Sequence, residues 1–112
     1  MKKLNIVIAG ATGYIGLELV KILLKHPKVN IKYLCAQNSI GSKISTFSKD
    51  LKRYRKLPII TNINNVNFNN INVLFTALPN GKAHKIGNKL PKNTLLIDLS
   101  ADFRLQKPNE YE

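Results

Sequence analysis

Residues 4–18 read Leu-Asn-Ile-Val-Ile-Ala-Gly-Ala-Thr-Gly-Tyr-Ile-Gly-Leu-Glu: an apolar run, glycines at 10, 13 and 16, and then apolar residues at helical spacing. This order predicts a strand, a tight turn and a helix. Gly10 lets the chain reverse sharply after the strand, Gly13 leaves room for a pyrophosphate to approach the backbone, and Gly16 lets the new helix pack close to its strand. The first N–H groups of such a helix have no intrahelical acceptor and face any phosphate placed there. Three glycines at this spacing also serve simply to pack a helix on a sheet. The strand–turn–helix context is what favours dinucleotide binding.

Working outward, Ile15, Leu19, Ile22 and Leu23 form one apolar stripe, with Glu18, Lys21 and Lys25 leaning away from it. His26-Pro27 ends this helix, because the residue before proline is pushed out of the α region, and His26 reads as a polar residue near the helix dipole. Residues 29–36 alternate Val29, Ile31, Tyr33 and Cys35 with more polar neighbours, which predicts a second strand. A polar loop with room for one helical turn covers residues 37–48, Ile59-Ile60 fits a short strand, and residues 61–72 form an Asn-rich connection. Residues 73–78 and 94–98 read as strands buried in a sheet, with a helix over residues 82–90 between them. Strands alternating with helices predict an α/β fold, a Rossmann-like doubly wound parallel sheet. Residues 1–112 are expected to be one dinucleotide-binding domain, truncated at its C-terminal end.

Composition narrows the function. Hydrophobic residues make up 44% and charged residues 21% of the 112-residue chain, and no apolar run approaches the ~18 residues needed to span a bilayer. The N-terminal apolar run is too short for a secretory leader, so a cytoplasmic protein without membrane contact is expected. Cys35 is the only cysteine, which excludes an internal disulfide. It reads as a small buried hydrophobe rather than a nucleophile. No metal-ligand spacing is present. The net charge of +12, from 18 Lys and Arg against 6 Asp and Glu, suits an anionic partner. Its densest group is Lys49, Lys52, Arg53, Arg55 and Lys56 around Tyr54, a local anion-attracting patch. No nucleic-acid recognition motif accompanies that charge, so nucleic acid is not expected as a partner.

In a doubly wound sheet, an acid at the end of the second strand bonds the ribose 2′-hydroxyl of NAD and repels the 2′-phosphate of NADP. Here that place holds Cys35-Ala36-Gln37-Asn38-Ser39, without an acid. Gln37, Asn38 and Ser39, with Lys43 nearby, either receive a 2′-phosphate or solvate a loop. The missing acid favours NADP. Leu78 and Pro79 stand just past another strand end, where open sheets place ligands and where Pro and Gly also simply turn the chain. Arg104, beyond the last strand, either grips a phosphate or carboxylate with its guanidinium or pairs with Asp102.

Gly10-Ala11-Thr12-Gly13-Tyr14-Ile15-Gly16-Leu17-Glu18-Leu19, Leu24-Lys25-His26-Pro27, Leu78-Pro79-Asn80-Gly81 and Asp98-Leu99-Ser100-Ala101-Asp102-Phe103-Arg104-Leu105 occur in order. Together they resemble the N-acetyl-gamma-glutamyl-phosphate reductases, which belong with the aspartate-semialdehyde dehydrogenases. The resemblance spans nearly the whole chain, and the Ser-Ala-Asp-Phe-Arg-Leu segment is its most restricted part. It implies NADPH-dependent reduction of an acyl phosphate to a semialdehyde in arginine biosynthesis, by an enzyme that is a homo-oligomer when intact. By position, Gly10, Thr12, Gly13, Tyr14 and Ile15 would surround the cofactor pyrophosphate, with Gln37, Asn38 and Ser39 near the adenosine ribose. Leu78 and Pro79 would line the cofactor site, and Arg104 would lie near the substrate phosphate. Many members carry His where this chain has Asn80, and Arg where it has Gln37. The family's chemistry also needs a cysteine thiolate and a histidine from a later segment. The resemblance therefore implies a cofactor-binding part without its catalytic and dimerisation domain, with no catalytic residue in this chain and no reductase activity alone.

Two rivals share the opening glycines. A short-chain dehydrogenase or nucleotide-sugar epimerase relative would rely on a Tyr-x-x-x-Lys pair, and no tyrosine here is followed by Lys four positions later. A non-enzymatic nucleotide-binding module would bind cofactor without turnover.

Overall fold

In the computed structural model, described for residues 3–54, 56–78 and 86–99, the apolar run after the N-terminus becomes the central strand of the sheet. Strand β1 (Leu4–Ala9) leads into helix α1 (Tyr14–Leu24), followed by β2 (Val29–Cys35), β3 (Ile60–Thr61), β4 (Val73–Thr76) and β5 (Leu95–Asp98). All pairings are parallel, in the order β3-β2-β1-β4-β5. Consecutive strands run outward from β1 to β3, and the chain then crosses back to lay β4 on the other side of β1. That reversal puts a crevice at the carboxyl ends of β1 and β4.

Each face of the sheet has its own apolar layer. Ile6 and Ile8 of β1 join Leu34, Ile60 and Val20 of α1, with Ile44 and Leu51 from the segment after β2. Val7 and Ala9 join Cys35, Leu74 and Ile71 on the opposite face, against Ile63, Val66, Phe68, Ile86 and Leu90. The amino ends of the strands are tied by asparagines. Asn5 donates its N–H to Asn72 Oδ1 (2.8 Å), its Nδ2 donates to the Asn70 carbonyl (3.0 Å), and Asn30 Nδ2 donates to Asn5 Oδ1 (3.0 Å).

Several expectations need correction. The apolar stripe of α1 is centred on Gly16 and Val20, not on Ile22, which is 63% exposed. Ile22 lies two residues past Val20, about 200° round the helix from the buried face. The alternation of β2 does not mark one face throughout. Ile6 pairs with Ile31 but Val7 pairs with Tyr33, so the register skips Lys32. This irregularity sends Val29 and Ile31 to the α1 side and Tyr33 and Cys35 to the other, with Leu34 taking over on the first. The strand at residues 94–98 is shorter and lies at an edge of the described sheet, so Leu95 is 58% exposed. The Asn-rich connection is two short 3-10 turns, Ile63–Asn65 and Phe68–Asn70, each opened by an asparagine side chain accepting an N–H two residues on. The loop after β2 does carry a turn, Ile44–Thr46. Of the helix expected over residues 82–90, residues 86–87 are helical and residues 82–85 lie outside the described residues.

The glycines at the junction of β1 and α1 act differently. Gly10 takes φ +82° and lies against the Ala77 carbonyl, and a Cβ on Gly16 would collide with the Gly10 carbonyl oxygen and stand 2.8 Å from Ala11 Cα. A side chain at Gly16 therefore meets backbone that cannot move without parting helix from strand. Gly16→Ala should destabilise the chain by about 3 kcal/mol or more, whereas Gly13→Ala, whose Cβ would come no nearer than 3.5 Å to the Gly10 oxygen, should cost less than about 1 kcal/mol. Urea unfolding of the two variants checks this, and equal midpoints would refute the packing assignment.

Cys35 is 2% exposed, and burial pushes its thiol up from 9.0 to about 12. Below pH 9 the folded and unfolded chains both hold the proton. Between pH 9 and 12 only the unfolded chain releases it, so the thiol's contribution to stability is lost as pH rises, with a slope of up to about 1.4 kcal/mol per pH unit. A Cys35→Ala variant should lack this component, seen as a stability difference from the native chain that changes steadily above pH 9. A constant difference would show that the thiol is not held neutral.

Candidate cofactor-binding site

The carboxyl ends of β1, β2 and β4 open on a groove of about 470 Å³ lined by Gly10, Thr12, Gly13, Tyr14, Ile15, Ala36, Gln37, Asn38, Ala77 and Leu78. Its floor is the turn between β1 and α1. Gly10 and Ala11 both donate their N–H to the Cys35 carbonyl (2.8 and 3.0 Å), Gly13 donates to the Gly10 carbonyl (3.1 Å), and Leu17 donates to the Gly13 carbonyl (2.9 Å). Gly13 caps α1 with extended backbone and no side-chain hydrogen bond. The N–H groups of Tyr14, Ile15 and Gly16 precede the first helical acceptor, so they and the helix dipole supply the positive end of the groove.

Gly13 is exposed, and the packing around it leaves space for a Cβ. Its missing side chain thus answers no internal demand, unlike those of Gly10 and Gly16. What it leaves open is the outer surface of the turn, where a diphosphate could approach the backbone.

A second concavity of about 330 Å³ shares Gly10, Ala36, Gln37 and Leu78 with the first and continues to Ala9, Cys35, Asn62, Ile63, Asn64 and Ile86. Its walls are mostly apolar, with the amides of Asn62 and Asn64 at the rim. Asn62 holds its turn by accepting the Asn64 N–H at 2.9 Å. This is a largely apolar, half-open space beside the turn, large enough for an aromatic ring. Among the described residues that line either concavity there is no carboxylate.

The structure thus brings Gly10, Thr12, Gly13, Tyr14, Ile15, Gln37, Asn38 and Leu78 to one groove. Ser39 does not line it. With φ 69°, Ser39 begins a turn in which its carbonyl accepts the Ser42 N–H at 3.0 Å. Gly41 and Ser42 then clasp Ile60 of β3 from both sides of its peptide, the Gly41 N–H donating to the Ile60 carbonyl (2.8 Å) and the Ile60 N–H to the Ser42 carbonyl (3.0 Å). Pro79 and Arg104 lie outside the described residues, as does His84. Sequence reasoning missed Asn62, Ile63, Asn64 and Ile86. The available signal was position, since Asn62 directly follows a short strand and loops at the carboxyl ends of a parallel sheet hold ligands.

Near the groove, the buried Thr76 hydroxyl donates to Asp98 Oδ1 at 2.9 Å and the Leu99 N–H donates to the Thr76 carbonyl at 2.6 Å, fixing the carboxyl ends of β4 and β5 together. Among the described residues, no His, Cys, Asp and Glu side chains cluster in a way that could hold a metal ion, and no helix is long and apolar enough to cross a membrane.

Known proteins are similar to this chain in sequence and in fold. The chain is 38% identical over 112 residues to N-acetyl-gamma-glutamyl-phosphate reductase of Ehrlichia ruminantium (strain Gardel), a match covering 98% of this chain and 32% of that protein. It is 39% identical over 108 residues to the enzyme of the same name from Cereibacter sphaeroides (strain ATCC 17025 / ATH 2.4.3), covering 96% of this chain and 31% of that one. It therefore spans about a third of the length of these relatives. Its fold matches aspartate semialdehyde dehydrogenase from Candida albicans, solved with NADP, with a TM-score of 0.67 at 23% identity over 92% of this chain and 31% of the other. The pattern of the family described as semialdehyde dehydrogenase, NAD binding domain, runs through residues 5–111, and the chain belongs to that family.

Proposed function

We propose that this chain is the cofactor-binding part of an N-acetyl-gamma-glutamyl-phosphate reductase and that its cofactor is NADP. The observation that carries this reading is the groove at the crossover, floored by bare helix amides and lined without a carboxylate, in a chain 38% identical to such reductases across 98% of its length. The turn from Gly10 to Ile15 holds the pyrophosphate through N–H groups and the helix dipole. The apolar space between Leu78, Ile63 and Ile86 takes the adenine, with Asn62 and Asn64 at its edge. Gln37 and Asn38 face the adenosine ribose, where the absence of an acid admits a 2′-phosphate without repulsion. When bound, the reduced nicotinamide supplies hydride to the acyl carbon.

The residues described here orient the cofactor and shield its adenine side from water. They do not provide the nucleophile. Cys35 is buried on the sheet, and its thiol, pushed up to about 12, stays protonated at neutral pH. The thiolate and the acid–base group of the reductase come from another part of the enzyme, together with the contacts that make it a homo-oligomer. Arg104 binds the phosphate of the acyl-phosphate substrate, and Pro79 takes part with Leu78 in binding the cofactor. The enzyme works in the cytoplasm, on a small molecule and without nucleic acid.

Isothermal titration of the chain with NADPH and NADH tests this. NADPH should bind more tightly than NADH, and Gly13→Glu should weaken NADPH binding at least about a hundredfold by placing a carboxylate against the diphosphate. The melting temperature should stay nearly unchanged, because the Cβ has room. No binding to the folded chain, or full binding to Gly13→Glu, would overturn the reading.

A further inference from the structure

On the α1 side of the sheet, a cleft of about 450 Å³ is lined by Lys21, Lys25, Lys49, Asp50, Leu51, Lys52, Arg53 and Tyr54, none of which lines the groove at the strand ends. Two separate elements supply its cations. Lys21, in the last turn of α1, and Lys25, its C-cap residue, are four positions apart and share a face. Lys49 and Lys52 flank a 3-10 turn, the Lys52 N–H donating to the Lys49 carbonyl at 3.1 Å, a geometry in which residues three apart eclipse each other. Leu51, 1% exposed, pins that turn to the core between them.

Arg53 is also pre-positioned. Its guanidinium carbon lies 5.2 Å from the centre of the Tyr54 ring, and Nη2 donates to Tyr54 Oη at 3.3 Å. Tyr54 packs on the core, so the arginine is held by a fixed ring while other N–H groups of its planar fork can serve an anion. Asp50 is the lone acid lining the cleft. It is 80% exposed and reaches Lys21 at 3.6 Å, while Lys21 also contacts Glu18 at 3.6 Å.

We propose that this cleft is a second binding site, distinct from the cofactor groove, for a small oligophosphate anion. Its volume suits a small ligand. Six of its eight lining residues are charged, five of them cationic, and several cations within one concavity favour a ligand with several negative charges close together. Phosphate matches the arginine fork and the ammonium groups at once. Arg53 already lies over the Tyr54 ring, and among the described residues no other aromatic side chain lines the cleft to offer a nucleic-acid base a stacking face.

Titration of the chain with inorganic tripolyphosphate, followed calorimetrically and by backbone amide NMR shifts at fixed ionic strength, tests the assignment. Binding should shift amides of residues 49–54 and of the second half of α1. It should weaken about tenfold or more in Lys49→Ala/Arg53→Ala, recover in part in Lys49→Ala/Arg53→Lys, and persist in Gly13→Glu. A Lys89→Ala/Lys92→Ala variant removes the same charge elsewhere and should bind normally. These exposed substitutions leave the core intact, and matched melting curves check that they do. Loss of binding in Gly13→Glu would move the site to the cofactor groove, and equal loss in the Lys89/Lys92 variant would reduce the effect to net charge. Either result, no binding, or binding of a single-stranded oligonucleotide alone would overturn the proposal.

Discussion

The carbonyl of Gly10 is the point on which this structure turns. It accepts the Gly13 N–H, and the Gly16 backbone lies so close to it that no side chain fits between them. That contact fixes the distance and direction of α1 relative to β1. Val20, one turn further along, then falls over Ile6 and Ile8, and the first amides of the helix open onto the crossover of the sheet. Core packing and the shape of the groove thus depend on the same few atoms. Of the three glycines of the turn, Gly10 and Gly16 are required by the fold, whereas Gly13 meets no packing demand.

The charge of the chain is organised by the same architecture. The concavities at the strand ends are lined without carboxylates and derive their positive character from backbone N–H groups. The other face gathers side-chain cations from α1 and from the turn around Leu51. Backbone amides recognise a phosphate through fixed direction. Lysines recognise it through proximity, with a stronger dependence on salt. The two regions therefore differ in kind as well as in place.

Much of the fold was legible because the relevant signals are local. The glycines at 10, 13 and 16 and the apolar run before them named the central strand and its helix, and the buried runs at 73–78 and 94–98 located β4 and β5. What was not legible depends on partners distant in sequence. The skipped register at Lys32 arises where β2 meets β1, so the alternation of Val29, Ile31, Tyr33 and Cys35 looked uniform when read alone. Ile22 belongs to an apolar spacing as good as that of Val20, and only the docking angle imposed at Gly16 decides between them. Residues 62–72 carried no periodicity because their order comes from asparagine side chains closing short turns. Half of the site was visible as a motif, while Asn62, Asn64 and Ile86 reach it only through the pairing of β3 with β2 and the packing of the opposite layer. In the same way, Lys21 and Lys25 could not be joined to Lys49 and Arg53 before the core had placed Leu51.

The position of β1 at the middle of the sheet has a temporal consequence. The strand that precedes the other four in this chain is also the one flanked on both sides, and its neighbours follow later: Ile6 pairs with Ile31 on one side and with Val73 on the other. Closing the second of these pairings requires ordering a long intervening loop, and such distant parallel contacts form slowly. Val7 and Ile8, fully buried at the end, thus stay open on one side until residues 73–76 have been made. The earliest contact open to Ile6 and Ile8 is with their own helix across the Gly10 turn, so the junction that floors the groove of the finished molecule also gives the growing chain its first shelter from aggregation.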